Sequence, residues 1–224
     1  MSANKQLNGP FLPPRSGQAK QLVIFLHGYG SNGEDLISLG DEWAGALPDA
    51  AFVSPNAPDV CEQWASGFQW FSIRAADGID TKVFERAAVI QKPAAALDAF
   101  IDAQLEQWGV DESRLAVAGF SQGAMMAMYA MPRRRKACAG IIGYSGLLVD
   151  AKSLTAPGIV KPPVLAIHGA ADTVVPPSCL EGVQQGFAAA GFTVETVLRP
   201  GLGHGIDPFG LARGVEFMKE AFDK

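Results

Sequence analysis

The sequence predicts an α/β fold with a mostly parallel central sheet and helices on both of its faces. Short apolar segments, typical of strands that are buried on both sides, recur along the chain. A longer segment of helical character follows most of them, and Gly or Pro residues mark the boundaries. Strands that alternate with helices in this way build a parallel sheet, because each helix carries the chain back to the edge where the next strand begins.

The predicted strands rest on runs of Val, Ile, Leu, Phe and Ala. The first run, QLVIFL, ends at His27-Gly28 and enters a loop rich in Gly, Ser and Asn. A later run ends in a second His-Gly pair, His168-Gly169. In order, strands are predicted at residues 21–26, 51–54, 114–118, 138–144, 164–167 and 192–198.

The predicted helices are bounded by Gly, Pro and capping residues. Gly109 ends the longest helix, and Pro93 is expected to interrupt it. Asp207 and Pro208 form a typical helix start, because the carboxylate can accept a free backbone N–H and proline needs no hydrogen-bond partner for its nitrogen. In order, helices are predicted at residues 34–47, 82–108, 120–131, 176–190 and 208–222.

Two long connections interrupt the alternation, at residues 59–80 and 147–162. Connections of this length within a compact domain are commonly functional. The second leaves room for a loop but not for a large cap domain. No repeat, low-complexity tract or linker divides the chain, so residues 1–224 are predicted to form one domain. Residues 1–20 are an N-terminal extension that could serve as an arm or an edge strand.

The composition excludes several classes of function. A formal net charge of −5 gives no general attraction to nucleic acid or anionic membranes. The basic run at residues 133–136 is interpreted as a solvated helix end, with a docking patch as the alternative. Three cysteines without a CxxC pair predict a reducing compartment and no metal site. Residues 1–14 lack an apolar core and no apolar stretch could span a bilayer, so we predict a cytoplasmic protein without membrane insertion.

The strongest local signal is Gly119-Phe120-Ser121-Gln122-Gly123, which matches G-x-S-x-G. A predicted strand precedes it and a predicted helix follows, which is the context of a nucleophile elbow in an α/β-hydrolase fold. The serine of such an elbow lies on a sharp, strained turn. Side chains two residues before and after it would clash, so glycine is expected at both positions. Ser121 is therefore the predicted nucleophile.

A serine hydroxyl needs a base, and histidine is the side chain whose ordinary pKa lies nearest neutrality. His204 lies in GLGHG after the last strand, downstream of the serine as this fold requires. His27 and His168 each follow a strand and are interpreted as braces for loops. The acid that orients the imidazole is predicted to be Asp172, with Asp150 as its competitor. A histidine base also predicts that activity falls below about pH 6 to 7.

The tetrahedral intermediate of acyl transfer needs two backbone N–H donors, which form an oxyanion hole. In this fold one donor belongs to the residue after the nucleophile, here Gln122. The other comes from the loop after an early strand, and Tyr29 in the run His27-Gly28-Tyr29-Gly30 is the predicted residue. The glycines of this loop would let its backbone approach a substrate closely.

Four segments, in this order and spacing, resemble the phospholipase/carboxylesterase family of α/β-hydrolases, which includes acyl-protein thioesterases and bacterial carboxylesterases. They are LHGYGSNGEDL at 26–36, GFSQGAMMA at 119–127, HGAADTVVP at 168–176 and GLGH at 201–204. The resemblance covers about residues 22–222. Two positions depart from the family's pattern: Ala124 replaces the second glycine of a frequent pair, and Ser72 stands where an acidic residue is often found.

The resemblance implies an α/β-hydrolase fold without a large cap domain. It also implies a triad of Ser121, Asp172 and His204, and oxyanion donors at the backbone N–H groups of Tyr29 and Gln122. These are the residues that the motifs indicate by themselves. Members of the family cleave carboxylic esters, some cleave thioesters, and none of this chemistry needs a metal or another cofactor.

Two interpretations of the substrate-binding walls stay open. In one, apolar side chains of the two long connections line a groove for small or medium apolar acyl groups: Trp64, Phe68, Trp70, Phe71, Leu147 and Leu148. In the other, the aromatic residues anchor a long loop to the core.

The predicted function is cleavage of carboxylic esters, a small-molecule substrate class, through an acyl-enzyme. Thioester or lysophospholipid cleavage by the same triad is the alternative, and a non-catalytic binding scaffold is a remote one. An apolar surface or a strand edge could also support a homodimer.

Overall fold

A computed structural model describes residues 7–75, 78–79 and 87–223. Its strands are β1 (Phe11–Leu12), β2 (Gln21–Leu26), β3 (Ala50–Val53), β4 (Asp59–Val60), β5 (Phe68–Gln69), β6 (Arg74–Ala75), β7 (Gly78–Ile79), β8 (Leu115–Phe120), β9 (Gly140–Tyr144), β10 (Val164–Gly169) and β11 (Val194–Arg199). Its α-helices are α1 (Gly33–Trp43), α2 (Ala87–Trp108), α3 (Gln122–Ala130), α4 (Ser178–Ala189) and α5 (Pro208–Phe222). Short 3₁₀ helices cover Glu112–Arg114, Met131–Arg133 and Ala151–Thr155.

Hydrogen bonds join seven of these strands into the central sheet, in the order β1-β3-β2-β8-β9-β10-β11. The edge strand β1 is antiparallel to β3, and every other neighbouring pair in this sheet is parallel. The pairs β4–β5 and β6–β7 form two small antiparallel units in the long aromatic connection. The mostly parallel sheet that the alternation predicts is confirmed.

The strand β2 shows how one sheet builds two cores, because successive residues of a strand point to opposite faces. Leu22, Ile24 and Leu26 belong to one buried cluster with residues of α2, α3 and α4. Val23 and Phe25 belong to the other, with residues of α1 and α5. Each of these apolar side chains, once buried, contributes about 1.5–3 kcal/mol to folding. Helices therefore cover both faces, as predicted.

The long helix differs from its prediction. Pro93 lies inside α2, which continues from Ala87 to Trp108 without a break. A proline inside a helix costs about 3 kcal/mol, because it removes one backbone hydrogen bond and crowds a carbonyl. Ile90, Leu97 and Ile101 are fully buried along the helix, and their burial outweighs that cost. The start predicted at residue 82 lies outside the described residues.

The basic run at residues 133–136 is solvated only in part, because Arg135 and Lys136 are exposed whereas Arg134 is buried. The Arg134 side chain is 3 % exposed and forms ion pairs with Asp98, Asp102 and Glu112. The neighbouring guanidinium, that of Arg133, lies over the Tyr129 ring at 3.7 Å from its centroid. The acidic and aromatic partners of Arg133 and Arg134 therefore leave only Arg135 and Lys136 of the run free for a docking patch.

The strand order creates a crevice at one edge of the sheet. From β2 the chain passes to β3 on one side, and it later returns as β8 on the other side of β2. The carboxyl ends of β2 and β8 therefore border the point where the strand order reverses, and α/β sheets bind ligands at such points. Within the described ranges, no helix combines the length and the apolar character needed to cross a bilayer.

Candidate active site

Ser121 lies in the turn between β8 and α3, with backbone angles φ 54° and ψ −114°. L residues rarely adopt such angles, and holding one there costs about 1–3 kcal/mol. A Cβ atom on Gly119 would lie 2.3 Å from the Gly123 carbonyl carbon, and one on Gly123 would lie 1.9 Å from the Leu26 carbonyl oxygen. Backbone atoms cannot easily move aside, so the steric reason predicted for both glycines is confirmed.

The loop after β2 comes close to this turn. A Cβ atom on Gly28 would lie 3.4 Å from Ser121 Cβ. Gly30 has a φ of +77°, and a Cβ atom there would lie 2.4 Å from the Trp64 ring. Both the left-handed φ and the close ring thus require glycine at position 30. Tyr29 lies between these two glycines, beside the elbow.

His204 and Asp172 form a hydrogen bond, with Nδ1 and Oδ2 2.7 Å apart. An ionised carboxylate only accepts hydrogen bonds, so Nδ1 carries the hydrogen and Nε2 of the neutral ring keeps a basic lone pair. The His204 ring also packs against the Phe120 ring, at 4.8 Å between centroids. Because Phe120 directly precedes Ser121, this contact holds the imidazole next to the elbow.

The Asp172 carboxylate is buried and held from two sides. Its Oδ1 accepts the backbone N–H groups of Val174 and Val175 at 2.8 and 2.9 Å, and its Oδ2 lies 2.7 Å from His204 Nδ1 and 3.4 Å from His168 Nε2. Burial raises the pKa of this carboxyl, but the hydrogen bonds from His204, Val175 and Val174 outweigh it and hold the pKa below its ordinary value. Asp172 is therefore ionised at neutral pH.

The other two histidines, His27 directly after β2 and His168 near the end of β10, brace loops as predicted. His27 accepts the Ala57 N–H at Nε2 (3.0 Å) and donates from Nδ1 to the Gly28 carbonyl (2.7 Å). Burial lowers the pKa of His27, which keeps it neutral. His168 donates from Nε2 to the Val175 carbonyl at 2.9 Å and so closes the loop that carries the buried carboxylate. Neither ring is placed to act as a base at the elbow.

Backbone contacts join the two loops that carry the acid and the base. The Ala171 N–H donates to the Leu202 carbonyl at 2.8 Å. A Cβ atom on Gly169 would lie 2.3 Å from the Leu202 and Gly203 carbonyl oxygens, so only glycine permits this approach. An ion pair between Arg199 Nε and Asp207 Oδ2, at 2.9 Å, spans the ends of the histidine loop.

A feature that motif analysis did not predict is the use of the Gln122 side chain. It is buried, and its two polar atoms bind the backbone of the aromatic connection. Oε1 accepts the Trp70 N–H and Nε2 donates to the Phe71 carbonyl, each at 2.8 Å. One signal in the sequence could have indicated this role: Gln122 is a polar residue at the start of an otherwise apolar helix, QGAMMAMYA, and a buried polar side chain needs a hydrogen-bond partner.

The six predicted wall residues divide into two groups. Trp70 and Phe71 are 1 % and 4 % exposed and lie in the core, and the Trp70 indole N–H donates to the His27 carbonyl at 3.0 Å. For these two the anchoring interpretation is the better one. Trp64 is 53 % exposed and packs edge-on to the Tyr29 ring, 6.0 Å between centroids. The remaining wall residues are partly buried and pack against the core: Phe68, Leu147 and Leu148.

The competing acid and the cysteines have other environments. Asp150 pairs with Arg133 at 3.5 Å and has a left-handed backbone, φ 53°. Burial raises the pKa of the Cys138 thiol to about 12, and burial also raises that of Cys179. Among the described residues, no group of three or more His, Cys, Asp or Glu side chains could hold a metal ion.

Comparisons with known proteins point to one family. The model of the phospholipase/carboxylesterase family matches residues 8–221. Acyl-protein thioesterase 1 of Gibberella zeae is 27% identical over 227 residues, which cover 94% of each chain. Esterase YpfH of Escherichia coli is 28% identical over 209 residues, 92% of this chain and 85% of that protein. The crystal structure of esterase PE8 superposes with a TM-score of 0.91 and 40% identity, over 96% of this chain and 99% of that one.

Proposed function

The chain belongs to the phospholipase/carboxylesterase family, and from this membership we propose that it hydrolyses carboxylic esters of small or medium apolar acyl groups through Ser121, His204 and Asp172. One observation carries the proposal. The Asp172–His204 hydrogen bond directs Nε2 of a neutral imidazole away from the acid, and the Phe120 contact holds that ring beside the strained serine. A serine, a base and an orienting acid in this order form the constellation of acyl transfer.

In the proposed first step, the Ser121 Oγ attacks the ester carbonyl carbon while His204 Nε2 takes its proton. The carbonyl oxygen becomes an oxyanion, and the N–H groups of Tyr29 and Gln122 stabilise it. Gln122 is the first residue of α3, so its N–H has no partner within the helix. The tetrahedral intermediate then breaks the C–O bond of the leaving alcohol, which receives the proton from His204.

In the second step, water attacks the acyl-enzyme. His204 Nε2 takes a proton from the water, the oxyanion forms again in the same place, and the bond to Ser121 Oγ breaks with return of that proton. The products are the free acid and the restored serine. Asp172 keeps the hydrogen on Nδ1 in both steps, so that Nε2 can exchange protons.

The test is hydrolysis of a short p-nitrophenyl ester by the wild type and by Ser121→Ala. We expect kcat to fall at least about a thousandfold, because the acyl-enzyme can no longer form. Ser145→Ala is the matched control: Ser145 also has a positive φ, 50°, and lies buried at the end of the neighbouring strand β9. An active Ser121→Ala would refute the mechanism, and a wild type inactive on esters and thioesters would favour a binding scaffold.

A thioesterase is the second candidate, because one relative that aligns over 94% of this chain is named acyl-protein thioesterase 1. An ester and a thioester with the same acyl chain separate the two. A higher kcat/KM for the thioester, after correction for the intrinsic reactivity of both compounds in buffer, would assign the chain to that substrate class instead. The triad and its mechanism would be unchanged.

The acyl groove is proposed to lie along the partly exposed wall, with Trp64 as its aromatic border. Trp64→Ala should change the ratio of kcat/KM between butanoyl and octanoyl esters. Trp70→Ala should lower stability instead, because that side chain fills the core and its N–H would leave the His27 carbonyl without a donor. An unchanged chain-length preference in Trp64→Ala would remove this residue from the groove.

The sequence further predicts that residues 1–224 form one domain, that the protein is cytoplasmic and that it forms a homodimer. The homodimer is tested by light scattering coupled to size-exclusion chromatography. A mass near 23.6 kDa would refute it.

A further inference from the structure

The two proposed oxyanion donors come from segments that are far apart in the sequence. Tyr29 belongs to the loop after β2, and Gln122 begins α3. A third segment, Gly67–Phe71, makes hydrogen bonds to both. We refer to residues 67–71 as the bridging segment.

One end of the bridging segment binds the Tyr29 loop. The Gly30 N–H donates to the Phe68 carbonyl at 2.9 Å, and the Phe68 N–H donates to the Ser31 carbonyl at 2.7 Å. The chains approach so closely that a Cβ atom on Gly67 would lie 2.0 Å from the Gly30 carbonyl oxygen. The backbone that follows Tyr29 is thus paired as in an antiparallel strand.

The other end binds the start of α3 through a side chain. Gln122 accepts from the Trp70 N–H and donates to the Phe71 carbonyl, with both distances 2.8 Å. The side chain is 2 % exposed, so these bonds do not compete with water. The indole N–H of Trp70 adds a third bond, to the His27 carbonyl just before the Tyr29 loop.

We infer that the Gln122 side chain is a positioning residue for the oxyanion hole. By holding the bridging segment, it sets the distance between its own backbone N–H and that of Tyr29. Preorganised donors are worth most when they need not move during the reaction, and displacement by about 1 Å can cost about a hundredfold in rate. This inference rests on the proposed function, because it assigns a role within the same site.

Gln122→Met tests it, because methionine has a similar length, removes both side-chain bonds and keeps the backbone N–H. We expect kcat to fall about tenfold to a hundredfold with a much smaller change in KM. The affinity for a trifluoromethyl ketone, which forms an oxyanion adduct with the serine, should fall by the same factor as kcat. A substitution that only destabilised the fold would lower the amount of active enzyme, but it would not change the affinity of the folded enzyme for the trifluoromethyl ketone.

Arg134→Met is the matched control, because it also replaces a buried polar side chain with methionine. Arg134 is 5 % exposed, and its side-chain partners are Asp98, Asp102 and Glu112, which lie outside both the bridging segment and the Tyr29 loop. It should lose stability as Gln122→Met does, yet keep its kcat and its inhibitor affinity. If both variants lose kcat equally, the Gln122 contacts have no special role and the inference is overturned.

Gln122→Glu gives a second readout if the methionine variant fails to fold. An ionised carboxylate cannot donate to the Phe71 carbonyl, whereas the protonated acid can. Burial against a carbonyl raises the pKa of such a carboxyl. The ratio of kcat in the variant to kcat in the wild type should therefore rise as the pH is lowered from 8 to 6. A ratio that does not change with pH would contradict the inference.

Two results distinguish a failure of the proposed function from a failure of the positioning role. An active Ser121→Ala overturns the proposed function, and the positioning role with it. An inactive Ser121→Ala together with wild-type kcat and inhibitor affinity in Gln122→Met overturns the positioning role alone.

Discussion

Replacing Asp172 with asparagine should abolish most activity while leaving substrate binding intact. The backbone N–H groups of Val174 and Val175 both point at Oδ1, so the amide oxygen of the new side chain must take that place. Its NH₂ group then faces His204 Nδ1. Because an NH₂ group donates, Nδ1 must become the acceptor, and the ring hydrogen moves to Nε2. The imidazole then has no lone pair for the serine proton.

The expected loss follows from this change of tautomer. In serine hydrolases with the same arrangement, the equivalent substitution lowers kcat by about four orders of magnitude. KM should change little, since no wall residue is altered. The assay is steady-state hydrolysis of a p-nitrophenyl ester at neutral pH, with active-site titration of each preparation. Asp150→Asn is the control, because Asp150 pairs with Arg133 and was the competing candidate for the acid.

The same substitution has a pH-dependent effect on stability. The folded-state pKa of Asp172 is depressed, so its ionised form stabilises the fold above the unfolded pKa of about 3.9, and this contribution is lost as the pH falls through the folded value. The difference in unfolding free energy between the wild type and Asp172→Asn should thus be largest at neutral pH and shrink below about pH 4.

If Asp172→Asn kept more than about a tenth of the wild-type kcat, while Asp150→Asn lost its activity, the assignment of the acid would be wrong.

Arg134→Met should lower the unfolding free energy by about 1–2 kcal/mol in urea titrations and leave kcat unchanged. The loss is modest because two of the three carboxylates that pair with Arg134, those of Asp98 and Asp102, are more than half exposed and are screened by water. Gly123→Ala should give little soluble protein, because its Cβ would overlap a backbone carbonyl. In contrast, Gly182→Ala, in α4 with open space around it, should raise the unfolding free energy by about 0.5–1 kcal/mol. In the native protein an aromatic disulfide reagent at pH 8 should modify Cys179 faster than Cys138, because Cys138 is buried and its pKa is raised to about 12. Equal rates would contradict the burial of Cys138.

Features that depend on local chemistry could be predicted from the amino-acid sequence. Alternating apolar runs and helical segments gave the strand and helix order, since strands buried on both faces need continuous apolar residues. The elbow could also be located, because only glycine fits at Gly119 and Gly123. The start of α5 was predicted from Asp207, whose Oδ1 accepts the Gly210 N–H at 2.7 Å.

Features that depend on packing between distant segments could not be predicted from the sequence, because the fold brings their partners together. Local propensity predicts a break at Pro93, but burial of one face of α2 keeps the helix continuous. An aromatic residue such as Trp70 can line a groove or fill a core, and its position in the sequence does not distinguish these two roles. A glutamine after the serine likewise does not show where its side chain will bind. The partners of Gln122 lie some fifty residues away, at Trp70 and Phe71, and the fold brings them together.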